Sequence, residues 1–280
     1  MLYTNLKRFK PINPSLRHAC LINKKIFWPG KKINKLSFFK HKVPGRNNQG
    51  HLILYTRSKL TKHKVLVVDS KFSNFNVPGI YCRFEYDSKR SSFIVLVHFK
   101  NGLFCYLNAI LGVELGTVFQ SYFFNKENDI LSLRNGDRAC VGNVPNTTII
   151  SNVESFYLSG SKYSRSAGTY CTIIRKYLNL NKVLIKLRSG SLKLVSSVGK
   201  AFIGSNSNVE HKLISIGKAG RNRLFGIKPN VRGVAMNPVD HPHGGGEGKK
   251  SKKSSPRTPW GKMLKWVKTG RKSYNYKNEI

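Results

Sequence analysis

Acidic side chains are scarce in this chain: 12 Asp and Glu stand against 50 Lys and Arg in 280 residues. The first 64 residues contain no acid at all. A formal net charge of +38 repels itself in any compact state, so the chain needs a polyanion to neutralise it. Long apolar runs are also missing. No stretch approaches the ~18 consecutive apolar residues of a transmembrane helix. The N-terminus, MLYTNLKRFKPINPSLRH, lacks the apolar segment of a secretory signal. It is basic and acid-free, as a mitochondrial presequence would be, but Pro11 and Pro14 interrupt an amphipathic helix there. Cysteine is sparse. Cys20, Cys82, Cys105, Cys140 and Cys171 are too far apart for a CxxC zinc knuckle or redox pair, and their odd number fits reduced thiols in a reducing compartment. Sustained i, i+3, i+4 apolar spacing is absent beyond about ten residues, which argues against a long helical domain.

What is abundant is positive charge, unevenly placed. Residues 1–64 carry 16 basic side chains, residues 65–210 carry 17 against 9 acids, and residues 211–280 carry 17 against 3. A nearly ordinary middle is therefore flanked by two strongly basic arms. Nucleic acid, with dense and regular phosphates, is the partner this distribution favours. An acidic membrane surface is the second candidate. Lysine-rich arms can also be solvated and disordered in the free protein and become ordered on RNA.

Only the middle has the apolar density of a core. GIYCRFEY (79–86), FIVLVHF (93–99) and LFCYL (103–107) predict strands, with Asn101-Gly102 as a hairpin turn. TTIISNVESFYL (147–158), GTYCTII (168–174), KVLIKL (182–187) and SLKLV (191–195) continue the pattern, with RNGD (134–137) and Ser189-Gly190 as turns. Short strands at regular spacing predict small β-barrels. Residues 1–64 predict an extended arm, and residues 205–280 an extended Gly/Lys-rich tail.

The chemistry-bearing residues concentrate in GKAGRNRLFGIKPNVRGVAMNPVDHPHGGGEG (217–248). Glycine permits close backbone approach to a phosphate or ribose. Lys218, Arg221, Arg223 and Arg232 can contact phosphates or stack on bases, and Asn222 and Asn237 can bond base edges. A flexible linker is the alternative. Asp240, His241 and His243 invite an acid–base or metal reading. No nucleophile or further ligand cluster lies nearby, and a folded loop with its own Asp–His hydrogen bond, pressed on RNA, is favoured. Gly244, Gly245 and Gly246 are not a P-loop, since no GK[ST] follows. Lys249, Lys250, Lys252 and Lys253 read as phosphate-neutralising, with a nuclear localisation patch as the alternative. Trp260 and Trp266 stack on bases or anchor the tail on protein. Arg165, Ser166 and Gly168 form either a backbone contact with RNA or an ordinary turn.

NPVDHPHGGGEG, preceded by GKAGRNR and VRG, resembles the second protein of the large ribosomal subunit, bacterial and organellar type. The resemblance extends along the chain through KPINPSLRH (10–18), PGRNNQGH (44–51), RFEYDSKRSSFIVLVHFKNG (83–102), RSAGTY (165–170), LRSG (187–190) and TPWGK (258–262). It implies an all-β fold: an oligonucleotide-binding-type barrel over 65–125 and an SH3-like barrel over 126–204, between a basic N-terminal extension (1–64) and a C-terminal tail (205–280). It also implies a structural protein that binds large-subunit rRNA, aids subunit association and supports the architecture around the peptidyl-transferase centre. Arg46, Asn47 and Asn48 join the RNA-contacting set on this basis. The family's matching histidine has been proposed as catalytic. Peptide transfer is attributed to RNA, so the expected role of His241 is structural.

No enzymatic activity, cofactor, metal, membrane or homo-oligomer is expected. The partners implied are rRNA, neighbouring ribosomal proteins and, across the interface, the small subunit. A regulatory RNA-binding role off the ribosome is the alternative. Many relatives carry a GGGHK tract where this chain has Ser58-Lys59-Leu60-Thr61-Lys62, so close backbone approach should be altered there. The Asn, Ile, Phe, Tyr and Lys bias suggests an AT-rich organellar genome. The family-like start a few residues from Met1 suggests synthesis inside the organelle, with mitochondrion preferred over plastid.

Overall fold

The computed structural model describes residues 6–39, 44–58, 64–74, 76–122, 133–246 and 255–267. The chain divides into two compact units. The first comprises Met1–Val43 with Lys59–Gly226, and the second Pro44–Ser58 with Ile227–Ile280.

The first unit is almost entirely β. Strand β1 (Leu6–Arg8) pairs with β2 (Cys20–Ile22), and β3 (Ser37–Phe39) with β4 (Lys64–Leu66). The short helix α1 (Pro14–Arg17) lies between β1 and β2. A four-stranded antiparallel sheet follows, built from β5 (Gly79–Glu85), β6 (Ile94–Phe99), β7 (Phe104–Asn108) and β8 (Val118–Phe119) in the order β7-β6-β5-β8. The predicted Asn101-Gly102 turn joins β6 to β7. Gly102 takes the left-handed φ of 81° and closes the turn by donating to the Phe99 carbonyl at 2.9 Å.

Strand β6 explains the run FIVLVHF. Val95, Val97 and Phe99 face one core with Phe27, Tyr81 and Phe119. Ile94 and Leu96 face the other side, under Leu66, Ile33 and Leu36. A strand buried on both faces needs apolar side chains at every position. Ile33 and Leu36 on that second side come from the N-terminal arm, which is therefore not simply extended. Its short elements pack on the sheet, and the Trp28 backbone N–H donates to the Phe84 carbonyl at 2.9 Å.

Next come β9 (Ser121–Tyr122), β10 (Arg138–Cys140), β11 (Ile149–Ser151), β12 (Val153–Glu154), β13 (Ser161–Tyr163), β14 (Cys171–Tyr177), β15 (Lys182–Leu187), β16 (Leu192–Ser196) and β17 (Lys200–Ile203). Seven of them form a sheet in the order β16-β15-β14-β11-β17-β10-β9, while β12 pairs with β13. The core holds Val141, Ile150, Val153, Ile173, Ile185 and Val195. Bulges at Cys82 in β5 and Ile174 in β14 shift the register of both long hairpins. A bulge adds twist, and both sheets are curled as barrel-type domains require. TTIISNVESFYL is not one strand. Asn152 enters the left-handed region at φ 52°, splitting it into β11 and β12, and Phe156, Tyr157 and Leu158 lie exposed in the following turn.

Two buried polar features join the sheets. Arg138 is fully buried over the rings of Phe99 and Phe119, at 5.3 and 5.0 Å, and donates to the Asn74 carbonyl at 2.7 Å and Ser121 Oγ at 3.0 Å. Asn108, Asn152 and Asn206 form a ladder of side-chain amides at 2.7 and 2.8 Å. All five cysteines are free thiols, and burial pushes Cys140 up to about 11 and Cys105 up to about 12. Among the described residues, no helix is long and apolar enough to cross a membrane.

Candidate nucleic-acid interface

In the first unit the loop 164–169 is held from three directions. The Ser164 and Ser166 carbonyls accept from Asn206 Nδ2 at 2.6 and 3.2 Å. The Ala167 N–H donates to Ser91 Oγ at 3.1 Å, and the Gly168 N–H to the Ser207 carbonyl at 3.0 Å. Arg188 donates to the Gly168 carbonyl. Gly168 is buried with a φ of 60°, and an added Cβ would stand 2.9 Å from Val209 Cα. Arg165 and Ser166 are left exposed on this fixed loop.

Beside the loop lies a small polar cavity of about 90 Å³, lined in part by Arg90, Arg165, Asn108, Asn152 and Ser161. Arg90 is the residue that sequence reasoning missed, because nothing in its local sequence DSKRSS marks it as a contact. Burial lowers the Arg90 pKa; the nearby Asp87 carboxylate opposes this, and Arg165 adds to it. Asp87 Oδ2 stands 3.6 Å from Arg90 Nε. Arg90 and Arg165 thus line one small polar cavity, which Asp69 lines as well.

Farther along, Lys218 precedes the helix α2 (Ala219–Leu224). Arg221 turns inward and donates to the Ile216 carbonyl at 2.5 Å, so its guanidinium already has a structural task. Asn222 is half-buried, and Lys218 and Arg223 are exposed. The stretch 217–248 is not one structural piece, since it passes from the first unit to the second after Gly226.

In the second unit Asn47 organises its own turn. Its Oδ1 accepts the backbone N–H groups of Gln49 and His51 at 3.0 and 2.9 Å. Arg46 and Asn48 flank it, exposed. Tyr55 and Trp260 stack at 5.5 Å with ring planes 19° apart, so Trp260 is anchored on protein while staying 56% exposed. Ser58 is the one described residue of the 58–62 tract. Lys249, Lys250, Lys252 and Lys253 also lie outside the described residues.

The loop 237–246 is built around His241, which is 8% exposed. The Asn237 carbonyl accepts from the N–H groups of Asp240 and His241, and the Met236 carbonyl from that of Gly245. The expected Asp–His hydrogen bond does not form. His241 Nδ1 instead accepts the backbone N–H of His243 at 2.9 Å, and His243 Nε2 accepts that of Arg257 at 2.8 Å. A ring nitrogen that accepts carries no proton, so the ring protons sit on His241 Nε2 and His243 Nδ1. Neither histidine then has a free lone pair for a base's work. Asp240 is exposed, where a carboxylate can accept from a base N–H or a ribose hydroxyl but not from a phosphate. Arg232 and Asn237 are exposed on the same loop system. Among the described residues, no group of three or more His, Cys, Asp or Glu is placed to hold a metal.

Two family models match this chain. "Ribosomal Proteins L2, RNA binding N-terminal domain" matches residues 33–121, and "Ribosomal Proteins L2, C-terminal domain" matches residues 134–261. The chain belongs to the ribosomal L2 family. It is 39% identical over 265 residues to large ribosomal subunit protein uL2 of Rhodopseudomonas palustris (strain BisB18), covering 94% of this chain and 92% of the relative. It is 41% identical over 272 residues to large ribosomal subunit protein uL2m of Reclinomonas americana, covering 96% and 95%. Large ribosomal subunit protein uL2 of Orientia tsutsugamushi (strain Ikeda) is 38% identical over 269 residues, covering 96% of each.

In this L2-family chain the loop glycines serve the loop's own packing. A Cβ on Gly244 would stand 2.0 Å from the Asn237 carbonyl oxygen. One on Gly233 would meet the His241 ring at 2.4 Å. Gly233→Ala is therefore expected to displace His241 and destabilise the loop by about 1–3 kcal/mol. A moved His241 ring signal in NMR, with a lowered melting temperature, checks this.

Proposed function

We propose that this chain is a structural constituent of the large ribosomal subunit that binds its rRNA through both units. The four-part organisation, with its oligonucleotide-binding-type and SH3-like barrels, positions the RNA contacts. In the first unit these are Arg90, Arg165, Ser166, Gly168, Lys218, Arg221, Asn222 and Arg223. In the second they are Arg46, Asn47, Asn48, Arg232, Asn237, Asp240, His241, His243, Gly244, Gly245, Gly246, Lys249, Lys250 and Trp260. The observation that carries this reading is the pair Arg90 and Arg165, two arginines from loops far apart in the sequence that line one polar cavity in a chain of net charge +38.

Neighbouring ribosomal proteins and the small subunit are its further partners, and the loop of His241 supports the RNA of the peptidyl-transferase centre. His241 acts as a positioned Nε2–H donor, not as a catalyst. Mitochondrial residence is supported by the residue bias and by the uL2m relative. The test is sedimentation of the native protein from an organellar lysate. It should travel with the large subunit and be released by ribonuclease. A free pool, or travel with other particles, would favour an off-ribosome regulator.

A further inference from the structure

The first sheet carries a cavity that the contacts above do not use. It measures about 420 Å³ and is lined by Trp28, Gly30, Lys32, Lys64, Glu85 and Tyr86, among others. Cavities of that size suit small organic ligands.

Its aromatic wall is set in advance. The Trp28 backbone is bonded to β5 through Phe84. The Arg83 guanidinium lies 4.7 Å from the centre of the indole ring. Gly30 packs against the ring edge, where an added Cβ would come within 2.4 Å of Nε1. Held this way, the indole is still 49% exposed. The basic wall is fixed as well. Lys32 Nζ donates to the Tyr86 carbonyl and Lys64 Nζ to Asn34 Oδ1, both at 2.8 Å. Both partners are neutral, so the two ammonium charges are not cancelled by them.

Glu85 is the unusual member. It is 2% exposed, and its Oε1 accepts from Arg83 Nε and the Tyr106 hydroxyl, each at 2.9 Å. Its Oε2 is buried and has no hydrogen-bond partner. A buried carboxylate oxygen without a donor is costly, and a ligand bringing an N–H or O–H relieves that cost.

We infer that this cavity takes one unpaired nucleotide of the bound RNA. The base stacks on Trp28, the phosphate lies between Lys32 and Lys64, and a base N–H or ribose hydroxyl supplies the donor that Glu85 lacks. An acidic side chain would satisfy the lysines but bring neither a flat ring for Trp28 nor a donor for Glu85 Oε2. An apolar segment would leave Oε2 unpaired. The inference rests on the reading of the chain as an rRNA-binding protein.

The test uses the full chain labelled with 5-fluorotryptophan. It has three tryptophans, and Trp28→Phe assigns the relevant fluorine resonance. A fluorescent single-stranded RNA oligonucleotide of mixed sequence is added, with anisotropy reporting binding. The Trp28 resonance should shift in step with binding and stay in place when inorganic polyphosphate is added. Trp28→Leu should weaken binding by about fivefold or more, with Trp28→Phe retaining most of the affinity. A Trp28 resonance that stays still while anisotropy reports saturation would overturn the pocket and leave RNA binding intact. An equal shift with polyphosphate would also overturn it, since charge alone would then suffice. No binding by anisotropy would defeat both the pocket and the RNA-binding reading.

Discussion

Replacing Arg90 and Arg165 together by glutamine is expected to lower affinity for large-subunit RNA by about a hundredfold or more. A hydrogen bond to a charged group contributes about 1.5–3 kcal/mol, and two are lost here. The salt dependence carries the sharper signature. Each phosphate contact adds about 0.7–0.9 to the slope of log affinity against log salt, so the double variant should be shallower by about 1.5. Glutamine keeps a donor for Asp87, which limits the structural effect of losing Arg90. Filter binding at several salt concentrations reads both quantities, with thermal melting showing that the variant remains folded. Reduced affinity with an unchanged slope would mean that the arginines act on the fold and not on phosphate.

The largest effect on stability is expected at Arg138. Its burial pulls the guanidinium down to about 10, against the opposing influence of Cys105, Tyr81 and Asp69. The side chain nevertheless stays because it fills the space beside Phe99 and Phe119 and supplies donors to Asn74 and Ser121. Arg138→Ala leaves a cavity and strands the Asn74 carbonyl, and is expected to cost about 3–5 kcal/mol in urea unfolding. Arg138→Met fills most of the volume and removes a buried charge, so it should cost less than half as much. Equal losses for the two variants would show that the charge, not the packing, holds the sheets together.

Arg90 and Arg138 mark what was legible in the sequence and what was not. FIVLVHF announced a buried strand because both of its faces are covered. Asn101-Gly102 announced its hairpin because the turn is local. Arg90 and Arg138 did not stand out, because each owes its environment to residues far away in the chain. Arg90 meets Arg165 across the cavity, and Arg138 lies on rings from β6 and β8. The N-terminal arm read as extended for a related reason. Its strands are three residues long, too short for periodicity, and Ile33 and Leu36 are held by the sheet beneath them.

The loop 237–246 shows a subtler limit. Adjacent Asp240 and His241 suggested an Asp–His pair. The backbone turn instead brings the His243 N–H onto the imidazole, and no side-chain pattern encodes that. The glycines suggested room for RNA, whereas Gly233 and Gly244 are needed by the His241 ring and the Asn237 carbonyl. The sequence located the loop as the place where the family resemblance resides, and the structure shows the contacts that build it.

The central claim is that both units of this chain are built into large-subunit RNA. Ultraviolet crosslinking of purified large subunits, with the adducts mapped by mass spectrometry, tests it most directly. Nucleotide adducts are predicted in the first unit near Arg90 and Arg165, and in the second within 44–58 and 227–267. Adducts confined to one unit, or absent from a chain that still sediments with the subunit, would contradict it.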